Sequence, residues 1–179
     1  MATLLSLERY LPVHRYDQEV VTGWVREWLL SAPPEAGGGR GAERLLSVYA
    51  SAGVKTRASV VPIEDVFHPA DFETQNRKYR DAACRAGADV ARRALDASLL
   101  APRDIDLVVS VSCTGFMIPA VDAYVANALS LGPRLARLPI TEAGCAGGVV
   151  GLVRAADYLA AHPDRAALLL AIELSSLTF

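Results

Sequence analysis

Hydrophobic and polar positions along this chain form blocks that predict strands and helices in turn. The apolar runs IDLVVSVSC (105–113), ARLPI (136–140) and AALLLAIELSS (166–176) predict strands, and the first and last are apolar enough to be buried on both faces. Helical patterns separate them at AVDAYVANALSL (120–131) and GCAGGVVGLVRAADYLAA (144–161). This alternation is typical of a parallel or mixed sheet covered by helices, so we predict an α/β fold.

The N-terminal part of the chain carries shorter patterns. ATLLSLERYLP (2–12) predicts a strand, and SAPPEAGGGRG (31–41) predicts a loop because it is rich in proline and glycine. AERLLSVYASAG (42–53) predicts a short helix and KTRASVVP (55–62) an extended segment. A further helix is predicted from Asp17, with one apolar face made of Val20, Val21, Trp24, Val25, Trp28 and Leu29.

The longest helical pattern runs over residues 71–100. Small side chains form a stripe along it, and small residues allow a helix to lie close to its neighbour. We therefore expect this helix to be deeply packed through Ala83, Ala86, Gly87, Val90, Ala91, Ala94 and Leu95.

Composition excludes several classes of protein. The 179 residues are 52% hydrophobic and 21% charged with a net charge of −2, which indicates a globular chain without the basic face that nucleic acids require. No apolar run approaches the roughly 20 residues of a membrane span. Cys84, Cys113 and Cys145 form no CxxC pair, so the sequence indicates neither a disulfide framework nor a zinc site. We expect a reduced, cytoplasmic setting and no metal.

Cys145 is the candidate for chemistry, and two interpretations compete for it. It lies among glycines at the predicted start of a helix, whose dipole favours the thiolate. Gly144, Gly147 and Gly148 leave no β-carbon to obstruct a substrate. The alternative is that the glycines serve close packing and Cys145 is a small buried residue. No histidine is placed to activate it, since His162 ends the same helix, so a base would have to come from outside this chain.

Three segments together resemble a known family. SCTGFMIP (112–119), LPITEAGCAGG (138–148) and AIELSSLTF (171–179) resemble type III polyketide synthases, the thiolase-fold family of chalcone synthase, and the bacterial branch in particular. GVKTRASVVPIEDVFHP (53–69) resembles a stretch of bacterial members. The resemblance implies a thiolase-like layered fold, a mixed sheet with helices on both faces. Residues 1–179 would form its N-terminal half, without the C-terminal half that carries the family's His and Asn.

The resemblance also implies an activity. A polyketide synthase condenses malonyl-CoA units onto an acyl-CoA starter held on the catalytic cysteine, here Cys145, and then cyclises the chain. Coenzyme A thioesters are substrates, and no cofactor is implied. The small residues Ala146, Cys113 and Ser175 leave room for a long product, which favours an alkylresorcinol or alkylpyrone type, with a tetrahydroxynaphthalene type next. The chain alone is expected to be inactive.

Family positions supply the other candidate residues. The resemblance places three of them in the substrate cavity: Cys113, Ser175 and Thr178. Ile118 matches a residue that reaches into the partner's cavity across a homodimer. Lys55 and Arg57 lie near the family's binding site for coenzyme A phosphates and share one face of an extended segment, which suits a phosphate.

Two alternatives remain open at this point. A β-ketoacyl-carrier-protein synthase III shares the fold and the cysteine, although SCTGFMIP speaks against it. A truncated, non-catalytic paralogue acting as a partner subunit is favoured by the missing His and Asn.

Overall fold

The structure, a computed structural model, describes residues 2–31, 40–68 and 70–178. Its contacts divide the chain into two compact units. The larger unit comprises the described residues up to Tyr10 together with Phe72–Leu174 and Thr178. The smaller unit contains Leu11–Asp71 and Ser175–Leu177 in their described parts.

The smaller unit contains two strands and three helices. They are β1 (His14–Asp17), α1 (Gln18–Ser31), α2 (Arg40–Ser51), β2 (Thr56–Ser59) and α3 (Ile63–Phe67). The strands pair in antiparallel orientation, and the apolar face of α1 packs against α3. The predicted apolar face of α1 is confirmed at its centre, where the core contains Val21, Val25 and Leu29.

The larger unit is built on a parallel three-stranded sheet. Its elements are α4 (Phe72–Ser98), β3 (Ile105–Ser112), α5 (Val121–Leu129), β4 (Ala136–Thr141), α6 (Gly147–Ala161) and β5 (Ala166–Ala171). The strand order is β4-β3-β5, so β3 lies at the centre of the sheet. The α/β fold class and the helix–strand alternation predicted from the sequence are confirmed.

Helices cover both faces of this sheet. α6 packs on the face that carries Leu107, Val109 and Val111 of β3, while α4 and α5 lie on the other face. The predicted close approach of α4 is confirmed at Gly87, where an added β-carbon would lie 2.9 Å from Ile172 Cδ1 and 3.1 Å from Val125 Cγ2. Among the described residues, no helix combines the length and apolar character needed to cross a membrane.

One N-terminal prediction was wrong, and another falls largely outside the described residues. Residues 2–12 form no strand, because a strand needs a hydrogen-bonding neighbour and none pairs with them among the described residues. The segment lies instead along α4, where Ser6 Oγ donates to Ala94 O at 2.8 Å and Glu8 pairs with Arg93 at 2.8 Å. The loop predicted over 31–41 falls largely outside the described residues, and α2 already begins at Arg40.

Candidate active site

Cys145 lies on a short turn immediately before α6. The turn spans Gly144–Ala146 in 3₁₀ conformation and α6 begins at Gly147, so the helix starts slightly later than the sequence pattern predicts. The thiol is exposed, which excludes the interpretation that Cys145 is a buried packing residue of this chain. It stands at the N-terminal end of α6.

The glycines around Cys145 have different roles. Gly144 has φ of 57°, a left-handed conformation that glycine adopts without strain. A β-carbon on Gly147 would lie 2.5 Å from Val111 Cγ1, so this glycine lets α6 rest directly on β3. Gly148 has no heavy atom within 4 Å of the position its β-carbon would take. The expectation that all three clear a path for substrate is therefore wrong for Gly147, which serves packing against the sheet.

A cavity of about 320 Å³ opens in the larger unit at the carboxyl ends of β3 and β4. Such ends are where ligands bind in open α/β sheets. The cavity is lined by residues that include Tyr79, Ser112, Cys113, Phe116, Glu142 and Thr178. Two of the three cavity residues expected from the sequence, Cys113 and Thr178, therefore line one cavity.

A carboxylate holds the backbone at Cys113. Both Glu173 carboxylate oxygens accept from the Cys113 N–H, at 3.1 and 3.2 Å, and one accepts from the Thr114 hydroxyl at 2.9 Å. Thr114 Oγ1 in turn accepts from the Leu174 N–H at 2.8 Å, which joins the end of β3 to the segment after β5. The backbone at Cys113 and the Thr114 side chain are therefore held by Glu173, and Thr114 is also bonded to the backbone of Leu174.

The same carboxylate affects the Cys113 thiol. Loss of surrounding water and then the negative charge of Glu173 raise the pKa of Cys113 above its ordinary value, and Cys145 adds to the same shift. Cys113 is held as a neutral thiol on the cavity wall.

Side chains of α4 fix the loop that follows Cys113. Asn76 and Phe116 exchange two hydrogen bonds, from Asn76 Nδ2 to Phe116 O at 2.7 Å and from Phe116 N to Asn76 Oδ1 at 2.8 Å. The Tyr79 ring lies so close to Gly115 that a β-carbon there would come within 2.0 Å of it. Any residue but glycine at 115 would displace the ring.

The other predicted residues are not among those that line this cavity. Ile118 belongs to the larger unit and is 83% exposed. Lys55, Arg57 and Ser175 belong to the smaller unit. Arg57 Nε donates to Gln18 Oε1 at 2.8 Å, and the Arg57 guanidinium lies 5.1 Å from the centre of the Tyr49 ring.

His162 lies at the opposite end of α6 from Cys145. Its Nδ1 is 2.9 Å from Tyr158 O, and its ring stacks on that of Tyr158. The fifteen-residue helix between it and Cys145 is about 22 Å long, which agrees with the expectation that His162 is not the base for this thiol.

Three residues of this region were not singled out by sequence reasoning: Tyr79, Ser112 and Glu173. Ser112 and Glu173 follow from a rule that was available, since side chains after parallel strands meet at one edge of the sheet. Tyr79 carried no such signal, because a tyrosine on a long helix is usually only part of its packed face.

Comparison with known proteins gives a consistent result. The model of "Chalcone and stilbene synthases, N-terminal domain" matches residues 70–179. The 1,3,6,8-tetrahydroxynaphthalene synthase of Streptomyces peucetius subsp. caesius is 39% identical over 98% of this chain and 45% of its own length. The enzyme of the same name from Streptomyces griseus is 34% identical over 100% of this chain and 46% of its own length.

A solved structure agrees with these relatives. The 1,3,6,8-tetrahydroxynaphthalene synthase from Streptomyces coelicolor A3(2), described as a bacterial type III polyketide synthase, superposes with a TM-score of 0.85 at 33% identity, covering 95% of this chain and 47% of that one. This match confirms the thiolase-like fold expected from the sequence. The chain spans about half the length of the relatives it matches.

Proposed function

We infer the function of this chain from the family to which it belongs, the chalcone and stilbene synthases, whose N-terminal domain it contains. We propose that it forms the N-terminal half of a bacterial type III polyketide synthase and supplies the nucleophile. The observation that carries the proposal is an exposed thiol, Cys145, on the turn that opens α6. Cys113 lines the cavity, and Cys145 contributes to the raised pKa of its thiol.

The proposed chemistry has two steps. The Cys145 thiolate attacks the carbonyl of an acyl-CoA starter, and coenzyme A leaves with a proton, so that an acyl thioester forms on the enzyme. Malonyl-CoA then loses carbon dioxide, and the resulting enolate attacks that thioester. The Cys145 thiolate is released, and the acyl chain, longer by one two-carbon unit, remains on coenzyme A. Coenzyme A is thus part of the substrates, and the steps use no resident cofactor.

Half of this catalytic machinery is assigned to a region beyond the present chain. Both steps pass through an oxyanion, which needs hydrogen-bond donors, and the thiolate needs a base. We assign these to the family's His and Asn in the C-terminal half of the full-length relatives. A surface is available for such a half, since α6 exposes a run of apolar side chains: Val149 at 68%, Leu152 at 57% and Val153 at 48%. Exposed apolar patches of this kind mark interaction surfaces.

We propose that the protein works as a homodimer. Ile118 is a large apolar side chain that is 83% exposed at the tip of the loop between β3 and α5. β4 has one neighbouring strand among the described residues, which leaves its other edge open to pairing. Both features suit contact with a second copy.

Substrate binding is proposed from the family and from charge. Malonyl-CoA and an acyl-CoA starter are the proposed ligands, with Lys55 and Arg57 binding the coenzyme A phosphates and Thr178 shaping the cavity that it lines. Arg57 is held by Gln18 and Tyr49, which presents its guanidinium in one orientation. Coenzyme A thioesters and a reduced thiol both suit the cytoplasm.

The relatives shift the preferred product. The small residues Ala146, Cys113 and Ser175 by themselves favour an alkylresorcinol or alkylpyrone type. The relatives just described are all tetrahydroxynaphthalene synthases, so we propose that type, made from malonyl-CoA alone.

The test uses two proteins. One is this chain alone, and the other is the completed protein: the chain joined after residue 179 to the C-terminal half that continues in its own reading frame, or otherwise to that of the S. coelicolor enzyme. With malonyl-CoA, we expect polyketide from the completed protein and none from the chain alone or from a completed Cys145→Ala variant. Product from Cys145→Ala would refute the assignment of the nucleophile. Transfer from malonyl-carrier-protein but not from malonyl-CoA would favour a β-ketoacyl-carrier-protein synthase III.

A further inference from the structure

A buried tyrosine is hydrogen-bonded to a serine on the wall of the cavity. The Tyr79 side chain is 2% exposed, and its hydroxyl donates to Ser112 Oγ at 2.6 Å. Both residues line the cavity beside Cys113. The Tyr79 ring cannot move toward Gly115, because it already occupies the space that a β-carbon would take there. The direction from which the phenol approaches Ser112 is therefore fixed.

The protonation state of Tyr79 supports its role as the donor. Burial, with a smaller contribution from the nearby Glu173, raises the pKa of Tyr79 above its ordinary value, although the Ser112 hydrogen bond opposes this. The phenol therefore keeps its proton at any physiological pH and donates a hydrogen bond to Ser112.

Only one of the three hydrogen-bonding positions of the Ser112 hydroxyl is then used. A serine hydroxyl has one donor proton and two acceptor lone pairs, and Tyr79 occupies a lone pair. Within the described parts of the chain, the Ser112 hydroxyl donates to no protein acceptor. The neighbouring donors differ, since the Cys113 N–H and the Thr114 hydroxyl are both held by Glu173.

We propose that Ser112 is a substrate-binding residue, whose hydroxyl donates a hydrogen bond to a carbonyl oxygen of the β-keto acyl chain in this cavity. Tyr79 is a positioning residue that acts through Ser112, because the bond it donates turns the serine proton toward the cavity. A β-keto chain repeats carbonyl acceptors along its length, which is the chemistry that a donor on the cavity wall recognises. The reaction to which this contributes rests on the function proposed above.

The test is a double-mutant cycle in the completed protein. Ser112→Ala removes the donor, and Tyr79→Phe removes the phenol while keeping the ring against Gly115. We expect each change to lower kcat/KM for chain extension by about three- to tenfold, the loss of one hydrogen bond. The double variant should be no worse than Ser112→Ala, because both act through one hydroxyl. Ser112→Thr, which keeps a hydroxyl, should recover part of the loss.

Two controls separate binding from folding. Tyr158→Phe removes a hydroxyl from α6 outside the cavity and should leave kcat/KM unchanged. Alkylation of Cys145 by iodoacetamide should proceed at the same rate in every variant if the fold is intact. Additive losses in the double variant, or a Tyr79→Phe protein equal to the parent, would overturn the positioning role. A Ser112→Ala protein equal to the parent would overturn the whole proposal.

A binding measurement distinguishes this proposal from the proposed function. In a Cys145→Ala background, which cannot be acylated, the dissociation constant of acetoacetyl-CoA is measured by calorimetry with and without Ser112→Ala. We expect Ser112→Ala to raise it about three- to tenfold. Binding that depends on Ser112, together with a completed protein that keeps Cys145 and makes no polyketide, would overturn only the function. Binding that is absent, or that is unaffected by Ser112→Ala, would overturn the assignment of Ser112.

Discussion

Replacing Gly147 by alanine tests whether α6 is held by direct contact with the sheet. The added β-carbon would lie 2.5 Å from Val111 Cγ1, about 1 Å closer than carbon atoms in contact normally approach. Val111 is 3% exposed on the central strand and is β-branched, so its side chain has little freedom to rotate away. The start of α6 must therefore move.

The expected cost follows from this overlap. Inserting a methyl group into a packed contact typically costs about 1–3 kcal/mol, while replacing glycine by alanine within a helix returns up to about 1 kcal/mol. Gly148→Ala is the matched control, because its β-carbon meets no atom within 4 Å and shares the helical gain. The free energies of unfolding of the two variants should differ by about 1–3 kcal/mol, with Gly147→Ala the less stable.

The assay is urea unfolding of the completed protein, followed by circular dichroism with the slope compared between variants. Alkylation of Cys145, followed by mass spectrometry, should change in Gly147→Ala and not in Gly148→Ala. Equal stability of the two variants, both close to that of the parent, would refute the argument that Gly147 is needed for contact with Val111. A matching loss in both would instead point to a role for the backbone of the turn.

Glu173 and the ion pair between Arg137 and Asp122 give two further predictions, one on thiol reactivity and one on stability. Glu173→Gln removes a negative charge that raises the pKa of Cys113, so the thiolate fraction at neutral pH should rise and Cys113 should be alkylated faster. Well above the pKa of Cys113, the alkylation rates of the variant and the parent should converge. The control Glu43→Gln should change neither the thiolate fraction nor the alkylation rate of Cys113. An unchanged pH profile would contradict this. Arg137 pairs at 3.3 Å with Asp122, whose carboxylate is 1% exposed and accepts no hydrogen bond from the described residues. Arg137→Met should lower the free energy of unfolding in urea by ~1–3 kcal/mol, which is less than the loss for a fully buried pair because Arg137 is 43% exposed. Asp122→Asn should lower it by less than Arg137→Met does. An Arg137→Met protein as stable as the parent would show that the pair contributes nothing.

The sequence predicted elements well where the pattern is local. The buried strand at 105–112 and the helix at 121–129 both follow from side-chain periodicity, and the cysteine turn follows from its glycines. Residues 2–12 failed because strand formation depends on a neighbour that periodicity does not reveal. The short α3 was not foreseen, since five residues carry too little periodicity to predict a helix.

The candidate site, like the fold, was predictable where the signal is local and not where it depends on distant residues. Cys113 and Thr178 were predicted by their place in family segments and line one cavity, whereas their chemistry depends on contacts between distant residues. Glu173 bonds to the Cys113 backbone across 60 positions, and Tyr79 bonds to Ser112 across 33. Neither contact can be predicted from the spacing of residue types along the sequence.

Packing and chemistry at Cys145 prove to be parts of one arrangement. Gly147 and Gly151 allow α6 to lie directly on β3, and the β-carbon missing from Gly151 would have met Leu169 at 2.7 Å and Val111 at 2.9 Å. Because the helix is fixed by the sheet, the turn before it holds the sulfur at a defined place near the carboxyl ends of the strands. The glycines that face the sheet thus set the position of a thiol that is exposed. A perturbation of the helix–sheet contact should therefore appear first as altered reactivity of Cys145.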